Sequence, residues 1–299
     1  MGWMLQGGAV RTLKSSRYCW FANIDKTTAF LLLGTLLQSC SSPSQQLLQQ
    51  GIELGLTHQA IDGKSFQLES FSKEGIETGK TLHVYLEGDG IPWASINQVS
   101  SDPTPRKPLM LRLMALDPSP SLYLGRPCYN GHAEDSGCSP LQWTHRRYAP
   151  EVVDAMANGL AGFLRTHPYS YLVFMGHSGG GALALLLAQR FSSSCAAVTV
   201  AGNTDIDVWA DWHGYSRLEG SLNPAHWPNS EFLEFHYLGG EDKVIPPSIF
   251  RSELQKRPKA RVIIIPEFNH VCCWEQRWQL ILDQLRQFWS VNACFDRQS

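Results

Sequence analysis

The sequence has few charged residues, no internal repeats and no long hydrophobic run. Only 17% of its 299 residues are Asp, Glu, Lys or Arg, and the formal net charge is −2. This balance gives no basic surface for DNA or RNA, so no nucleic-acid partner is predicted. No apolar stretch reaches the roughly 20 residues that a membrane-spanning helix requires.

Metal-binding patterns are missing as well. No C-x-x-C and no pair of histidines has the spacing of metal ligands, so neither a metal nor an organic cofactor is predicted. What is present is a globular composition, with 43% hydrophobic and 11% aromatic residues. A chain of this length can form one domain with a sizeable core.

The first forty residues differ from the rest of the chain. A basic segment containing Arg11, Lys14 and Arg17 precedes an apolar run from Thr27 to Leu37. At about eleven residues, the run is too short to span a bilayer but fits the core of a signal peptide. It ends in Leu37-Gln38-Ser39-Cys40, which resembles a bacterial lipoprotein signal.

The lipoprotein resemblance implies that Cys40 is lipidated and anchors the mature chain in the bacterial envelope. Ser41, which follows it, resembles lipoproteins that are sorted to the outer membrane and face the periplasm. An ordinary secretory signal and a stray hydrophobic stretch are the alternatives. The predicted organisation is a signal peptide over residues 1–39, a tether and lead-in over 40–63, and a folded domain over 64–299.

In an exported protein, cysteines are expected to form disulfides. Cys128 and Cys138 flank a short polar loop and are natural partners. The pairing of the other cysteines stays open, and they are Cys195, Cys272, Cys273 and Cys294.

The central motif is Gly176-His177-Ser178-Gly179-Gly180. An apolar run, Tyr171 to Met175, predicts a buried strand before it, and strong helix formers follow it from Ala182. In this context, G-x-S-x-G is typical of a nucleophile elbow, in which Ser178 stands on a sharp turn between strand and helix. A glycine-rich turn with an incidental serine is the alternative.

This stretch resembles the elbow of α/β-hydrolase-fold serine hydrolases. Strands alternating with helices along the chain agree with that fold, a doubly wound, mainly parallel sheet with helices on both faces. The insertion after Asp205 is only about 25 residues long, so a small cap is predicted. In this fold the catalytic residues follow the chain order Ser, Asp or Glu, His.

That order locates the remaining members of a triad. Asp242 lies in Gly239-Gly240-Glu241-Asp242, directly after a predicted strand, and is the predicted acid, with Glu241 and Asp205 in reserve. His270 follows the last predicted strand and is the predicted base. His177 is expected to support the elbow instead, because its side chain should point away from that of Ser178.

Two backbone amides should form the oxyanion hole. One is predicted to be that of Gly179, and the other that of Asp89, with Gly88 or Gly90 as alternatives. The turn Glu87-Gly88-Asp89-Gly90 carries acids where many esterases have His-Gly. Those carboxylates would repel an anionic substrate unless they are turned away and paired. Arg146 and Arg147 either hold a substrate carboxylate or pair with nearby acids.

The segments Tyr85 to Gly90, Trp143 to Tyr148 and Ala201 to Asp205 together resemble an uncharacterised group of α/β-hydrolase-like lipoproteins of Gram-negative bacteria. The predicted function is therefore a lipid-anchored serine hydrolase that acts on a small or polymeric acyl substrate, an ester, thioester or amide. The alternatives are an acyltransferase with the same triad and a non-catalytic binding lipoprotein. The oligomeric state cannot be predicted.

Overall fold

The computed structural model describes residues 41–76, 80–227 and 229–289. The predicted signal peptide and Cys40 therefore lie outside the described residues. The strands are β1 (Thr57–Asp62), β2 (Gln67–Lys73), β3 (Thr81–Leu86), β4 (Trp93–Ser95), β5 (Gln98–Val99), β6 (Ser121–Leu124), β7 (Tyr171–His177), β8 (Ser194–Val200), β9 (Leu233–Gly239) and β10 (Ala260–Ile265).

Eight of these strands form one sheet in the order β1-β2-β6-β3-β7-β8-β9-β10. All neighbours from β6 to β10 are parallel, whereas β2 is antiparallel to both β1 and β6. The sheet is thus mainly parallel, as predicted. β4 and β5 form a separate hairpin.

Helices cover both faces of the sheet. They are α1 (Pro43–Glu53), α2 (Leu109–Leu116), α3 (Pro150–Thr166), α4 (Gly179–Ala188), α5 (Ile206–His213), α6 (Pro247–Leu254) and α7 (Trp274–Trp289), with short 3-10 turns at Pro140–Trp143 and Pro224–His226. Side chains of β7 alternate between two cores: Phe174 packs with α3 and α4, whereas Val173 packs with α1, α2 and α7. Such a doubly covered parallel sheet explains why its central strands, β7 and β8, are mostly apolar.

The segment expected to be a tether and lead-in is folded. Ser42 and Gln45 form a capping box that starts α1, and Leu47 is fully buried against the domain. β1 pairs with β2 over its whole length. The boundary predicted at residue 64 is therefore wrong. The polar Ser and Gln residues that suggested a tether cap a packed helix and form its solvent-exposed face.

In the described part of the chain, no helix combines the length and the apolar character needed to cross a membrane.

Candidate active site

The predicted nucleophile elbow lies at the carboxyl end of β7, a central strand of the sheet. β7 ends at His177 and α4 begins at Gly179, so Ser178 stands alone between them with φ 54° and ψ −123°. A non-glycine residue at positive φ is uncommon and marks a position that the fold forces. A side chain on Gly176 would come within 2.0 Å of the carbonyl oxygen of Gly180, so only glycine lets strand and helix meet this closely.

His270 and Asp242 complete a hydrogen-bonded chain with this serine. The Ser178 Oγ lies 3.1 Å from His270 Nε2, and His270 Nδ1 lies 2.9 Å from Asp242 Oδ2. Because a carboxylate can only accept, Nδ1 carries the proton and Nε2 is free to accept from the serine. Asp242 and Ser178 precede His270 by 28 and 92 residues. The three side chains come together at the carboxyl ends of β7, β9 and β10.

Asp242 is fixed by the backbone around it. Its Oδ1 accepts hydrogen bonds from the amides of Val244 and Ile245, both at 2.8 Å. Burial alone would raise the pKa of Asp242, but the hydrogen bond and charge of His270 and these two amides hold the pKa below its ordinary value. The carboxylate is therefore ionised and oriented toward His270.

His177 supports the loop that carries His270. Its Nε2 donates to the carbonyl oxygen of His270 at 2.8 Å, and the two imidazole rings are 4.7 Å apart. Burial, with the neighbouring His270 as a second cause, lowers the pKa of His177 to about 3. A neutral His177 thus ties the elbow to the backbone of the residue that would act as base.

The loop after β10 is held from other directions as well. The Trp274 indole, fully buried, donates to the carbonyl oxygens of Asn269 and His270. Cys272 and Cys273, whose pairing the sequence leaves open, are joined to each other. α7 begins only at Trp274, so His270 lies in this loop and not at a helix start.

The carboxylate of Asp89 is paired with two arginines and a tyrosine. Its carboxylate accepts from Arg126 Nη1 at 2.8 Å, from Arg147 Nη1 at 2.9 Å and from the Tyr148 hydroxyl at 2.6 and 2.7 Å. Burial would raise the pKa of Asp89, but the charges of Arg147 and Arg126 and the Tyr148 hydrogen bond lower it to about 2. The negative charge in this turn is therefore compensated inside the protein.

Glu87 is also directed inward. Its two carboxylate oxygens accept from the amides of Gly88, at 3.1 Å, and Met110, at 3.0 Å. Burial raises the pKa of Glu87 to about 7, against these two hydrogen bonds and the charges of Arg112 and Arg126. Glu87 thus joins the turn to the first residues of α2 and presents little charge to the cleft.

The two amides predicted for an oxyanion hole are available. In the described part of the chain, no oxygen accepts from the amides of Gly179 or Asp89. The Gly88 amide, an alternative from the sequence, is already used by Glu87. A side chain on Gly88 would lie 3.4 Å from Ser178 Cβ, which shows how closely this turn approaches the serine.

The remaining sequence candidates have structural partners. Arg147 pairs with Asp89, and Arg146 binds Glu151 through Nε and Nη2. Asp205 caps α5 by accepting from the amides of Asp207 and Val208. The reserve acid Glu241 is exposed, so neither reserve residue competes with Asp242 for His270.

Ser178 opens into a cleft of about 1080 Å³. Part of its lining comes from α5 and the segment after it, the small cap that the sequence predicts, and includes Trp209, Tyr215 and Leu218. The other wall is the β4–β5 hairpin with Trp93 and Ile96, which the sequence does not predict. Two strands of three and two residues leave too short a pattern to detect.

The disulfide predicted between Cys128 and Cys138 is present, with a Cα–Cα distance of 5.5 Å. Its half-cystines pack with Tyr129 and Trp143, and Val99 of the hairpin lies against this cluster. In the described ranges, no group of three His, Cys, Asp or Glu residues is arranged to hold a metal ion.

A scan with protein-family models finds none that matches this chain, and no curated protein matches its sequence. Solved structures do match it. An esterase of Pyrococcus furiosus is 13% identical with a TM-score of 0.58, and the match covers 79% of this chain and 92% of the esterase.

Two further structures extend the comparison. A membrane phospholipase A, a bacterial virulence factor, is 15% identical with a TM-score of 0.54 over 87% of this chain and 96% of its own. A lidless α/β serine hydrolase of Xanthomonas campestris is 11% identical with a TM-score of 0.51 over 77% and 94%. At these identities the likeness is one of architecture. Together with the observed strand order, it shows that the chain has the α/β-hydrolase fold.

Proposed function

We propose that this protein is a serine hydrolase that cleaves carboxylic esters through an acyl-enzyme. The observation that carries the proposal is the continuous hydrogen-bonded chain from Asp242 through His270 to Ser178, with the serine on a backbone turn at φ 54°. Two of the solved structures that resemble this chain, an esterase and a phospholipase A, carry the names of ester-cleaving enzymes.

In the first half-reaction, Ser178 Oγ attacks the substrate carbonyl while its proton passes to His270 Nε2. Asp242 keeps the imidazole in the tautomer that can accept this proton and stabilises the resulting imidazolium. The protonated His270 then gives the proton to the leaving alcohol, so the ester bond breaks and an acyl-enzyme remains.

The tetrahedral intermediate carries a negative charge on the former carbonyl oxygen. The amides of Gly179 and Asp89 would donate to it, and the N-terminus of α4 contributes its positive end. Because Asp89 is paired with Arg126 and Arg147, its own carboxylate does not oppose that charge.

In the second half-reaction, water replaces the alcohol. His270 takes a proton from water, the hydroxide attacks the acyl carbon, and Ser178 recovers its proton as the acid leaves. The side chain of His270 is 17% exposed and the cleft opens to solvent, so water has direct access. An acyltransferase would have to exclude it; the open cleft favours hydrolysis.

The proposal includes an anchor in the bacterial envelope through lipid on Cys40. It is supported by the basic leader, the short apolar run and Leu37-Gln38-Ser39-Cys40 at its end. One acyl chain binds a membrane only marginally, whereas several chains on one cysteine would anchor it stably.

Labelling with a fluorophosphonate tests the catalytic part. The wild type should be labelled on Ser178, and Ser178→Ala should abolish both labelling and hydrolysis of p-nitrophenyl butyrate. Ser216→Ala is the matched control, because Ser216 lines the same cleft. Labelling that persists in Ser178→Ala, or a wild type that reacts with neither reagent, would contradict the proposal and favour a non-catalytic binding protein. Comparing p-nitrophenyl butyrate with the corresponding anilide would separate ester from amide preference.

The anchor has its own test. Cys40→Ser should move the protein from the membrane fraction to the soluble fraction or leave it as unprocessed precursor, whereas Cys19→Ser in the leader should not. A wild type found soluble with an unmodified Cys40 would refute lipidation and leave the hydrolase proposal intact.

A further inference from the structure

The mouth of the cleft carries a group of exposed apolar side chains, which we call the apolar rim. Its members are Trp93, Ile96, Tyr215, Val244 and Val271. They come from the hairpin, the cap segment and the loops after β9 and β10, so separate parts of the chain converge on one surface. Contiguous exposed apolar patches of this kind mark interaction sites.

Ile96 is the most exposed member of the rim. It occupies the turn of the β4–β5 hairpin, and 93% of its surface is accessible. An isolated two-stranded hairpin is marginally stable, but this one is supported at its base. The Trp143 indole donates to the carbonyl oxygen of Ser100, and Val99 packs on the cluster around the Cys128–Cys138 disulfide. These contacts thus hold the hairpin in place, and its turn exposes an isoleucine to solvent.

The start of the domain lies beside the same surface. The amide of Ser44 donates to Asp102 Oδ2 at 3.2 Å, and Asp102 lies in the segment that runs from the hairpin to Pro105 in the cleft wall. Pro105 is the third residue after Asp102, which limits the distance between their Cα atoms to about 10 Å. Since α1 begins at Pro43, only Ser41 and Ser42 stand between Cys40 and this helix.

Charge at the rim agrees with a lipid surface. Arg106 and Lys107 are exposed, Lys107 lines the cleft, and in the described part of the chain no carboxylate pairs with either. The nearest acids of the cleft wall, Glu87 and Asp89, are turned inward onto backbone amides and arginines. Basic residues next to an apolar surface suit anionic headgroups over acyl chains.

We propose that the apolar rim is the surface by which this protein lies on a lipid bilayer, so that the cleft opens onto the membrane. The proposal rests on the proposed function for its anchor at Cys40. A lipid on that residue would hold the domain with the rim close to the bilayer, and the rim would then bury its apolar side chains at the boundary between headgroups and acyl chains.

Photolabelling from within the bilayer tests this orientation. The full chain is reconstituted in vesicles of phosphatidylethanolamine and phosphatidylglycerol that contain a trace of phosphatidylethanolamine with a diazirine in its acyl chain. After irradiation, mass mapping should find lipid on peptides that contain residues 92–99 and 214–218. Ile96→Asp should lower that labelling by about tenfold, the factor that corresponds to losing the burial of one isoleucine.

Ile76→Asp is the matched control. Ile76 is equally apolar and 86% exposed, but its amide bonds to Pro118 at the amino ends of β3 and β6, away from the cleft. Labelling confined to other surfaces, equal labelling in Ile96→Asp and wild type, or a chain that stays off the vesicles would overturn the proposal. Fluorophosphonate labelling in the same vesicles keeps the two proposals separate, because its loss would refute the hydrolase and not the docking surface.

Discussion

Replacing Asp89 by asparagine tests the most heavily paired group beside the serine. The carboxylate joins Arg126, Arg147 and Tyr148, and the two arginine side chains are only 4% and 7% exposed. An asparagine at this position would keep the size of the side chain and one acceptor oxygen but would remove the charge. Two buried guanidinium groups would then lose the carboxylate that they share.

The magnitude follows from the charge of Asp89 and the burial of its partners. The pKa of Asp89 is lowered from 3.8 to about 2, which corresponds to about 2–3 kcal/mol of preference for the ionised form. Removing one partner from a buried ion pair costs about 3–5 kcal/mol, because the remaining charge stays buried. We therefore expect Asp89→Asn to lower the free energy of unfolding by about 3–5 kcal/mol. Displacement of the Asp89 amide should also lower kcat by about 100-fold.

Urea unfolding followed by circular dichroism measures the stability, with Asp211→Asn as the control. Asp211 also pairs with an arginine, Arg217, but the pair is on the surface, so no measurable loss is expected. The contribution of Asp89 should be fully present above pH 3.8 and be lost as the pH falls toward 2, because its folded-state pKa is lowered. If Asp89→Asn unfolds at the same urea concentration as Asp211→Asn, the charge network does not stabilise this turn.

Three further predictions address other parts of the site. Asp242→Asn should reduce kcat for an ester by roughly four orders of magnitude, because the imidazole loses its orienting carboxylate; a loss smaller than about tenfold in steady-state assays would remove Asp242 from the triad. Burial lowers the pKa of His177 from 6.5 to about 3 in the folded state, so the protein should lose stability as the pH falls from 6.5 toward 3. His177→Phe should make the urea midpoint depend less on pH in this interval. An unchanged dependence would contradict a neutral, buried His177. The double change Cys128→Ala with Cys138→Ala should cost about 3 kcal/mol for a loop of 10 residues, whereas reduction without loss of stability in thermal or urea unfolding would show that the bond constrains nothing.

The turn at Ser178 and the strands that carry the proposed triad could be predicted because their information is local or topological. An apolar strand, a glycine-rich turn and an apolar helix are adjacent in sequence, and they give Ser178 its place without long-range knowledge. The chain order of the fold then locates Asp242 and His270 after later strands, and the structure brings their side chains together within hydrogen-bonding distance.

The segments that the sequence did not reveal depend on tertiary contacts. α1 is a segment rich in Gln, and it is helical because Leu47 finds a buried site on the domain. β1 contains a single buried apolar side chain, Ile61, and exists because its backbone pairs with β2. The hairpin is held by Trp143 and by the disulfide cluster, both of which lie further along the chain. Nothing within these three segments reveals those partners.

The acids of the turn after β3 show the same division between local and distant information. From the sequence alone, the negative charges of Glu87 and Asp89 would oppose the oxyanion of the reaction proposed for Ser178. Arg126 and Arg147, which compensate Asp89, lie 37 and 58 residues away, and Tyr148 lies 59 away.

The same carboxylate also reaches across the site. A side chain on Gly179 would come within 2.0 Å of Asp89 Oδ1, so the acid packs directly on the residue after the nucleophile. The paired side chain of Asp89 therefore fixes the position of the Asp89 amide in the turn. Its contact with Gly179 leaves no room for a larger residue there. Both amides that would face the oxyanion are held by one paired carboxylate. In the proposed mechanism, an acid at this turn would therefore serve catalysis through rigidity, with its charge compensated by the two arginines.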